Sequence, residues 1–152
     1  MNRLIARVDS VVIPFLRRWG IPTLRVSLAV VFIWFGALKI FGVSPVADLV
    51  TSTVYWVDPD WFVTALGVVE VLVGVGLAVR LGLRLVLLVL ALQMLGTFLV
   101  FALLPDVTFQ DGNPLKLTME GEFVLKNLVL LAAAMVVGAS IDAPEKLVVD
   151  QS

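Results

Sequence analysis

Four long apolar runs separated by short polar links make up most of this chain, at roughly residues 22–43, 61–80, 83–104 and 122–140. A helix that crosses a bilayer needs ~20 mostly apolar residues at 1.5 Å rise each, and each run is about that long. Only a helix satisfies its own backbone polar groups within one such segment in lipid. Strands of a membrane barrel would be ~10 residues long and strictly alternating, which these runs are not. The pattern predicts an all-α membrane protein: a four-transmembrane-helix bundle forming a single membrane domain over residues 1–152. The second and third runs are separated only by Arg80-Leu81-Gly82, so they should be antiparallel neighbours.

The links carry their own signals. Gly20-Ile21-Pro22 reads as a turn-like entry to the first span, which should end between Gly42 and Pro45. Link 44–60 holds Tyr55, Trp56, Trp61 and Phe62 at or near its end, an interfacial aromatic belt, with Asp58-Pro59-Asp60 as the turn and cap into span two. Link 105–120 contains Asp111-Gly112-Asn113-Pro114, a strong turn signal, and is expected to cap the outer mouth of the bundle. Residues 1–20 read as a basic amphipathic segment on the inner membrane surface, with Leu4, Ile5, Val8, Val11, Val12 and Phe15 on its apolar side and Pro14 as a weak point. They lack the uninterrupted apolar core and cleavage site of a signal peptide. Residues 141–152 read as a polar cytoplasmic tail.

Composition sharpens this picture. At 61% hydrophobic and a mean hydropathy of +1.07, the chain has little mass outside the bilayer; soluble domains are ~45–50% apolar. The net charge of −1 names no partner, and no nucleic-acid partner is expected; the distribution of charge is more informative. Arg3, Arg7, Arg17, Arg18 and Arg25 precede or open span one, and Arg80 and Arg84 flank the link between spans two and three. The two longer links carry Asp48, Asp58, Asp60, Asp106, Asp111 and Glu120 against Lys116 alone. The positive-inside rule then places both termini of this multi-pass protein in the cytoplasm and the two longer links outside. With no Cys and no His, disulfide exchange, a His-ligated haem and a typical zinc site are excluded, and no metal site is expected.

Polar residues inside the spans mark where chemistry would sit. Glu70 lies ~14 Å below Trp61, near mid-membrane, where an ionisable group is expensive and normally faces the bundle interior with a partner. Span one adds Lys39, span three Gln93, and span four Glu122, Lys126 and Asn127, all in the centre or outer half. Helical spacing groups Ala29, Phe32, Gly36 and Lys39; Gly67, Glu70, Gly74 and Ala78; Gln93, Gly96 and Val100; and Glu122, Lys126, Ala133 and Val137. If all four stripes point inward, the bundle has a charged upper core. Bland alternatives stand beside this: Lys39 snorkelling to the outer interface, Glu122–Lys126 as an ordinary intrahelical pair, and Gln93 and Asn127 as interhelical glue. Trp34, Phe32 and Phe35 either line a flat slot or are core and lipid-facing residues. Whether Glu70 pairs with Lys39 or with Lys126 is left open by spacing.

Three segments resemble the DoxX-like family of small four-span bacterial membrane proteins. Arg25 to Phe41, closing on Phe35-Gly36-Ala37-Leu38-Lys39, resembles that family's first span. Gly67-Val68-Val69-Glu70-Val71-Leu72-Val73-Gly74 is similar to its Gly-x-x-Glu-x-x-x-Gly, and Leu125-Lys126-Asn127-Leu128 to its Leu-Lys-Asn/Asp-x-x-Leu. The nearest likeness is to the branch that includes the reactive-chlorine-resistance inner-membrane protein, from which the chain departs in a shorter first outer link. The resemblance implies functional roles for Arg25, Lys39, Glu70, Lys126 and Asn127, and a link to redox or oxidative-stress chemistry, since the family includes a subunit of a thiosulfate:quinone oxidoreductase.

Two functional expectations follow. In the first, the outer half binds a quinone or a small anion, Glu70 exchanges a proton as the catalytic group, and Lys39, Lys126, Asn127, Gln93, Arg25 and Glu122 contribute to ligand binding. In the second, the chain is a non-enzymatic accessory or scaffold subunit whose polar core is structural, partnered by another membrane protein or by copies of itself. A small transporter is a weaker third idea, because no broken helix or inverted repeat is visible.

Overall fold

The computed structural model describes residues 2–54 and 56–141, with side chains described from Val8 onward except at Pro59 and Asp60. It contains α1 (Asn2–Ile40), α2 (Ala47–Thr53), α3 (Pro59–Val79), α4 (Leu83–Thr97), α5 (Leu99–Leu103), α6 (Pro105–Thr108) and α7 (Met119–Ala139), with a single 3-10 turn at Gln110–Gly112. Four helical stretches are long and apolar enough to cross a membrane: Val8–Ile40, Trp61–Val79, Leu83–Leu103 and Met119–Ala139. The expected four-span, all-α architecture is therefore present, with the second, third and fourth spans within about three residues of their expected limits.

The first span differs from expectation. Helix α1 is continuous for 39 residues through both Pro14 and Pro22, so the segment 1–20 is not a separate element and Gly20–Pro22 is not a turn. Proline already holds φ near the helical value, and a helix can run through it at the loss of one hydrogen bond. Residues 8–22 are exposed throughout, so nothing packed against them forces a bend. The tail beyond Ile141, the side chains of Arg3, Leu4, Ile5 and Arg7, and Tyr55 lie outside the described residues.

Glycine sets the closest helix contact. A Cβ on Gly36 would lie 2.6 Å from the Gly67 carbonyl oxygen, one on Gly67 would lie 2.7 Å from the Gly36 oxygen, and one on Gly74 would lie 2.8 Å from the Ala29 oxygen. Only hydrogen fits there, so α1 and α3 meet nearly backbone to backbone along an antiparallel seam. Helix α4 packs on α3 and α7, and α7 closes the ring against α1. Arg80 adopts a left-handed conformation (φ 61°) and ends α3; Gly82 (φ 58°) then starts α4, so the short inner link does make antiparallel neighbours of the two helices.

The two halves of the bundle differ in filling. One half is a dry core of Leu28, Ala29, Phe32, Val73, Leu77, Leu87, Leu90, Met94, Ala134 and Val137, with every spanning segment contributing. Toward the other end only a small cluster forms, of Leu49, Val100 and Val124. Thr97 spends its hydroxyl on the Met94 oxygen, 2.7 Å away, and the third span is interrupted at Phe98 between α4 and α5. A local i−4 or i−3 back-bond of this kind competes with the helical ladder. Phe98 keeps near-helical angles (φ −71°, ψ −14°), so Leu83–Leu103 runs on as one helical stretch.

The links behave differently from one another. Asp58 caps α3 as expected, its side chain accepting from the Trp61 N–H at 3.0 Å with Pro59 at the first turn. Link 44–60 contains helix α2 ahead of its aromatic residues, an element its aromatic content does not predict. Link 104–118 folds into α6, the 3-10 turn and a Phe109–Leu117 bridge, and Phe109 stacks on Phe101 at 5.4 Å. This link packs against the start of α7, where Gly121 leaves room for the Thr108 backbone oxygen.

Candidate functional site

Helices α1 and α3 bring one ion pair together. Lys39 closes the buried stripe of α1, and Glu70 lies one turn from Gly67 on the seam of α3. Because the seam is so close, the two side chains meet without leaving the interior: Lys39 Nζ donates to Glu70 Oε2 at 2.6 Å, and both residues are 5–6% exposed. The snorkelling alternative for Lys39 is thus overturned, and of the two pairings left open Glu70 takes Lys39. From α4, Gln93 Nε2 donates to the other carboxylate oxygen, Oε1, also at 2.6 Å. Each oxygen of Glu70 therefore has one donor, and the Lys39–Glu70 pair is neutral overall. Bonds of this kind to an ionised acceptor are about twice as strong as neutral ones.

A cavity of about 440 Å³ opens above this triad. That is the size of a small-molecule site, which ranges over ~300–1,000 Å³. Its floor is Lys39, Glu70 and Gln93; its walls include Phe32, Phe35, Leu66, Met94, Phe123 and Leu130. The roof comes from Val46, Leu49, Val50 and Thr53 of α2, followed by Trp56 and Val57. No residue of link 105–118 lines it; the first outer link covers this cavity. A second polar station sits on the wall: Asn127 Nδ2 donates to Thr97 Oγ1 at 3.1 Å, and Thr97 stands four residues along α4 from Gln93.

The remaining expected site residues lie elsewhere. Glu122 and Lys126 do not turn inward; their side chains are 61% and 74% exposed and only 3.9 Å from each other, an ordinary i,i+4 pair. Helix α7 buries Gly121, Val124, Ala134 and Val137, so of the expected stripe Val137 is buried while Glu122 and Lys126 are not. The apolar alternative won because this stripe packs small and branched residues against α4 and α6 while leaving the charged pair outside. Ala78 is likewise exposed, whereas Gly96, though exposed, lines the cavity. Arg25 is ~21 Å along α1 from Lys39, and its guanidinium donates to the backbone oxygens of Leu77 and Ala78 at the far end of α3. A cation there complements the negative end of the helix dipole, a structural task. Trp34 is exposed, while Phe32 and Phe35 face the cavity, and Phe35 meets Phe123 edge to face at 5.8 Å.

Several cavity residues were not singled out from sequence. Thr97 is one polar atom in an apolar run, but its position four residues after Gln93 was a usable signal. The α2 residues Val46, Leu49, Val50 and Thr53 follow i, i+3, i+4, i+7 spacing, the mark of an amphipathic turn.

Residues 20–103, more than half of the chain, match the DoxX family model, which takes in the seam, the ion pair, Gln93 and α2 but not α7. No curated protein and no solved structure matches the chain.

Proposed function

The chain belongs to the DoxX family, and we propose that this membrane protein binds a neutral, lipid-soluble ring ligand of quinone type above the Lys39–Glu70–Gln93 floor. The observation that supports this is the combination of a 440 Å³ apolar cavity with one charge-balanced polar end. A flat ring fits apolar and aromatic walls, and its oxygens need polar partners at one end. A small anion fits less well: the positive charge of Lys39 is matched at 2.6 Å by Glu70, and no second cation lines the cavity among the described residues. Glu70 is the group through which a proton would pass to or from the bound ring, Lys39 holds it in place, and Asn127 and Thr97 orient the ligand further up the wall. Arg25, Glu122 and Lys126 carry no ligand contact in this reading.

The redox or oxidative-stress association, the likeness to the reactive-chlorine-resistance branch, and the bacterial inner membrane with cytoplasmic termini belong to the same proposal. They rest on the motifs of spans one, two and four and on the basic inner links. The test is native mass spectrometry of the chain extracted gently from its own membrane. A bound mass matching a quinone, absent in Glu70→Gln, is the expected result; an empty cavity in fully folded wild-type protein refutes the proposal.

A second reading, an accessory subunit of a larger assembly, has one observation in its favour. Glu122 and Lys126 expose charge on the outer part of α7, where the bare chain would meet lipid. Charged groups in spans normally face protein or water. Under this reading a partner subunit or a second copy covers that face, and a stoichiometric partner should be captured by crosslinking through position 126.

A further inference from the structure

Few residues around the cavity are exposed, and most of those lie together. The lining residues of α1, α3 and α7 and the roof from α2 are all buried or half-buried. Among the described residues, only Trp56, Gly96, Leu99 and Leu103 both line the cavity and are exposed. Three of these belong to the third span. Leu88, Leu92, Leu99 and Leu103 recur at helical spacing and are 48–60% exposed, so they form the outward, lipid-facing side of that span. A wall residue that also belongs to the outward side marks a place where the cavity reaches the outside.

The position of this opening follows from Gln93. It faces α3, because it donates to Glu70. Gly96, Val100 and Leu103 follow it three, seven and ten residues on, along the same side of the helix. The opening therefore lies between α3 and α4–α5. At their inner ends the two helices are in tight contact, since a Cβ on Gly76 would lie 2.6 Å from the Val86 side chain. Further out the cavity parts them, with Phe62 and Leu66 on one side and Gly96 and Leu103 on the other.

Gly96 is a second, independent sign. Glycine weakens a helix interior relative to alanine. At Gly36, Gly67, Gly74, Gly76 and Gly121 close packing explains it, because a Cβ would meet another atom at under 3.0 Å. At Gly96 a Cβ would meet nothing within 4 Å. Its missing side chain serves no contact and leaves the edge of the opening bare. From Gly96 to Leu103 the opening extends ~10 Å along the helix. All of it lies in the apolar stretch Leu83–Leu103, so it faces lipid chains, while α2 roofs the end of the cavity.

We infer that the ligand enters sideways from the bilayer between α3 and α4–α5, passing Gly96, and that it carries a long apolar tail which stays in this opening. This rests on the reading of the cavity as a ring-binding site and adds the route and the tail to it. The ring sits over the Lys39–Glu70–Gln93 floor, and the tail leaves past Leu99 and Leu103 into the lipid.

The chain has no cysteine, so single introduced cysteines report access. The full chain in nanodiscs carries Leu130→Cys in the cavity, Leu103→Cys in the opening, Leu92→Cys on the lipid side or Lys116→Cys in an outer link. Two maleimides are compared, one with a dodecyl chain and one with a sulfonate. Their rates are scaled to Leu92→Cys and Lys116→Cys respectively. So scaled, the dodecyl reagent should label Leu130→Cys at least about tenfold faster, since lipid admits it and excludes the charge. Equal scaled rates overturn side entry, as does failure of the dodecyl reagent to reach Leu130→Cys. Adding Gly96→Leu should slow that labelling at least about tenfold and leave Leu92→Cys unchanged. An unslowed Leu130→Cys also overturns the route. Should Gly96→Leu not fold, the comparison of the two reagents without it still decides. Two fully substituted 1,4-benzoquinones, one with a decyl group and one with methyl in its place, then compete with the dodecyl reagent. Both should shield Leu130→Cys, and only the decyl compound should shield Leu103→Cys. Equal effects of the two on Leu103→Cys refute the tail. Shielding of Leu130→Cys by neither overturns the ring-binding reading and leaves the side entry standing.

Discussion

Removing one member of the Lys39–Glu70 pair should cost far more than removing both. In Lys39→Met a carboxylate is stranded in the bundle interior, and in Glu70→Gln an ammonium is. Each stranded group can escape by losing its charge. At pH 7, neutralising a carboxyl with an ordinary value near 4.3 costs ~3.7 kcal/mol, and neutralising a lysine near 10.4 costs ~4.6 kcal/mol. These are ceilings on the two single losses, and they agree with the ~3–5 kcal/mol seen when one partner of a buried pair is removed. The double variant has no stranded charge. Gln at position 70 still accepts from Gln93, which now donates at 2.6 Å to Glu70 Oε1. Its loss should be about 1 kcal/mol, the scale of one charge-assisted bond reduced to a neutral one. The singles at their ceilings would add to about 8 kcal/mol, so the coupling is about 7 kcal/mol at most and still several kcal/mol if relaxation halves each single. The assay is reversible unfolding in bicelles at pH 7, followed for all four members of the cycle. Additive losses, or single variants within ~1 kcal/mol of wild type, would show that the pair is neither buried nor coupled as described.

Other consequences are simpler to check. Gly36→Ala and Gly67→Ala place a methyl against a backbone oxygen at 2.6 and 2.7 Å, so each should lower stability by ~1–3 kcal/mol in a detergent melt, whereas Gly96→Ala, with nothing within 4 Å, should change little. Arg25→Leu should cost ~1–2 kcal/mol through lost carbonyl contacts at the end of α3, with probe affinity at the cavity unchanged within twofold. Lys126→Ala should change stability by less than ~0.5 kcal/mol, since its 3.9 Å partner is as exposed as it is. A larger loss would mean the pair is covered by something.

Much of this arrangement was legible in the sequence, for identifiable physical reasons. Run length alone locates the spans, because bilayer thickness sets it. Small residues at i, i+3 and i+7 around Glu70 mark the face that packs, because only they allow close approach, and the stripe through Ala29, Phe32, Gly36 and Lys39 is buried as expected. The partner of Glu70 was not legible, because depth alone allows both Lys39 and Lys126; the seam decides it. In span four the charged residues do not mark the inner face. Glu122 and Lys126 stay on the exposed face of α7, and the packed face is marked by Gly121 and Ala134 instead. The aromatic content of the first outer link does not reveal α2; its mark is the three-to-four spacing of Val46, Leu49, Val50 and Thr53.

The glycine seam of α1 and α3 has one more consequence. A surface without side chains is close to smooth, and two smooth rods can slide past each other with little to stop them. Here two polar ties act as alignment pins. Arg25 holds the Leu77 and Ala78 oxygens at one end, and Lys39 holds Glu70 at the other, fourteen residues further along α1. A slip of one helical turn is ~5.4 Å, and it would break both ties at once. The glycines thus set how near the two helices come, and the pins set at which notch they stop, so the height of Glu70 in the membrane is fixed from both ends.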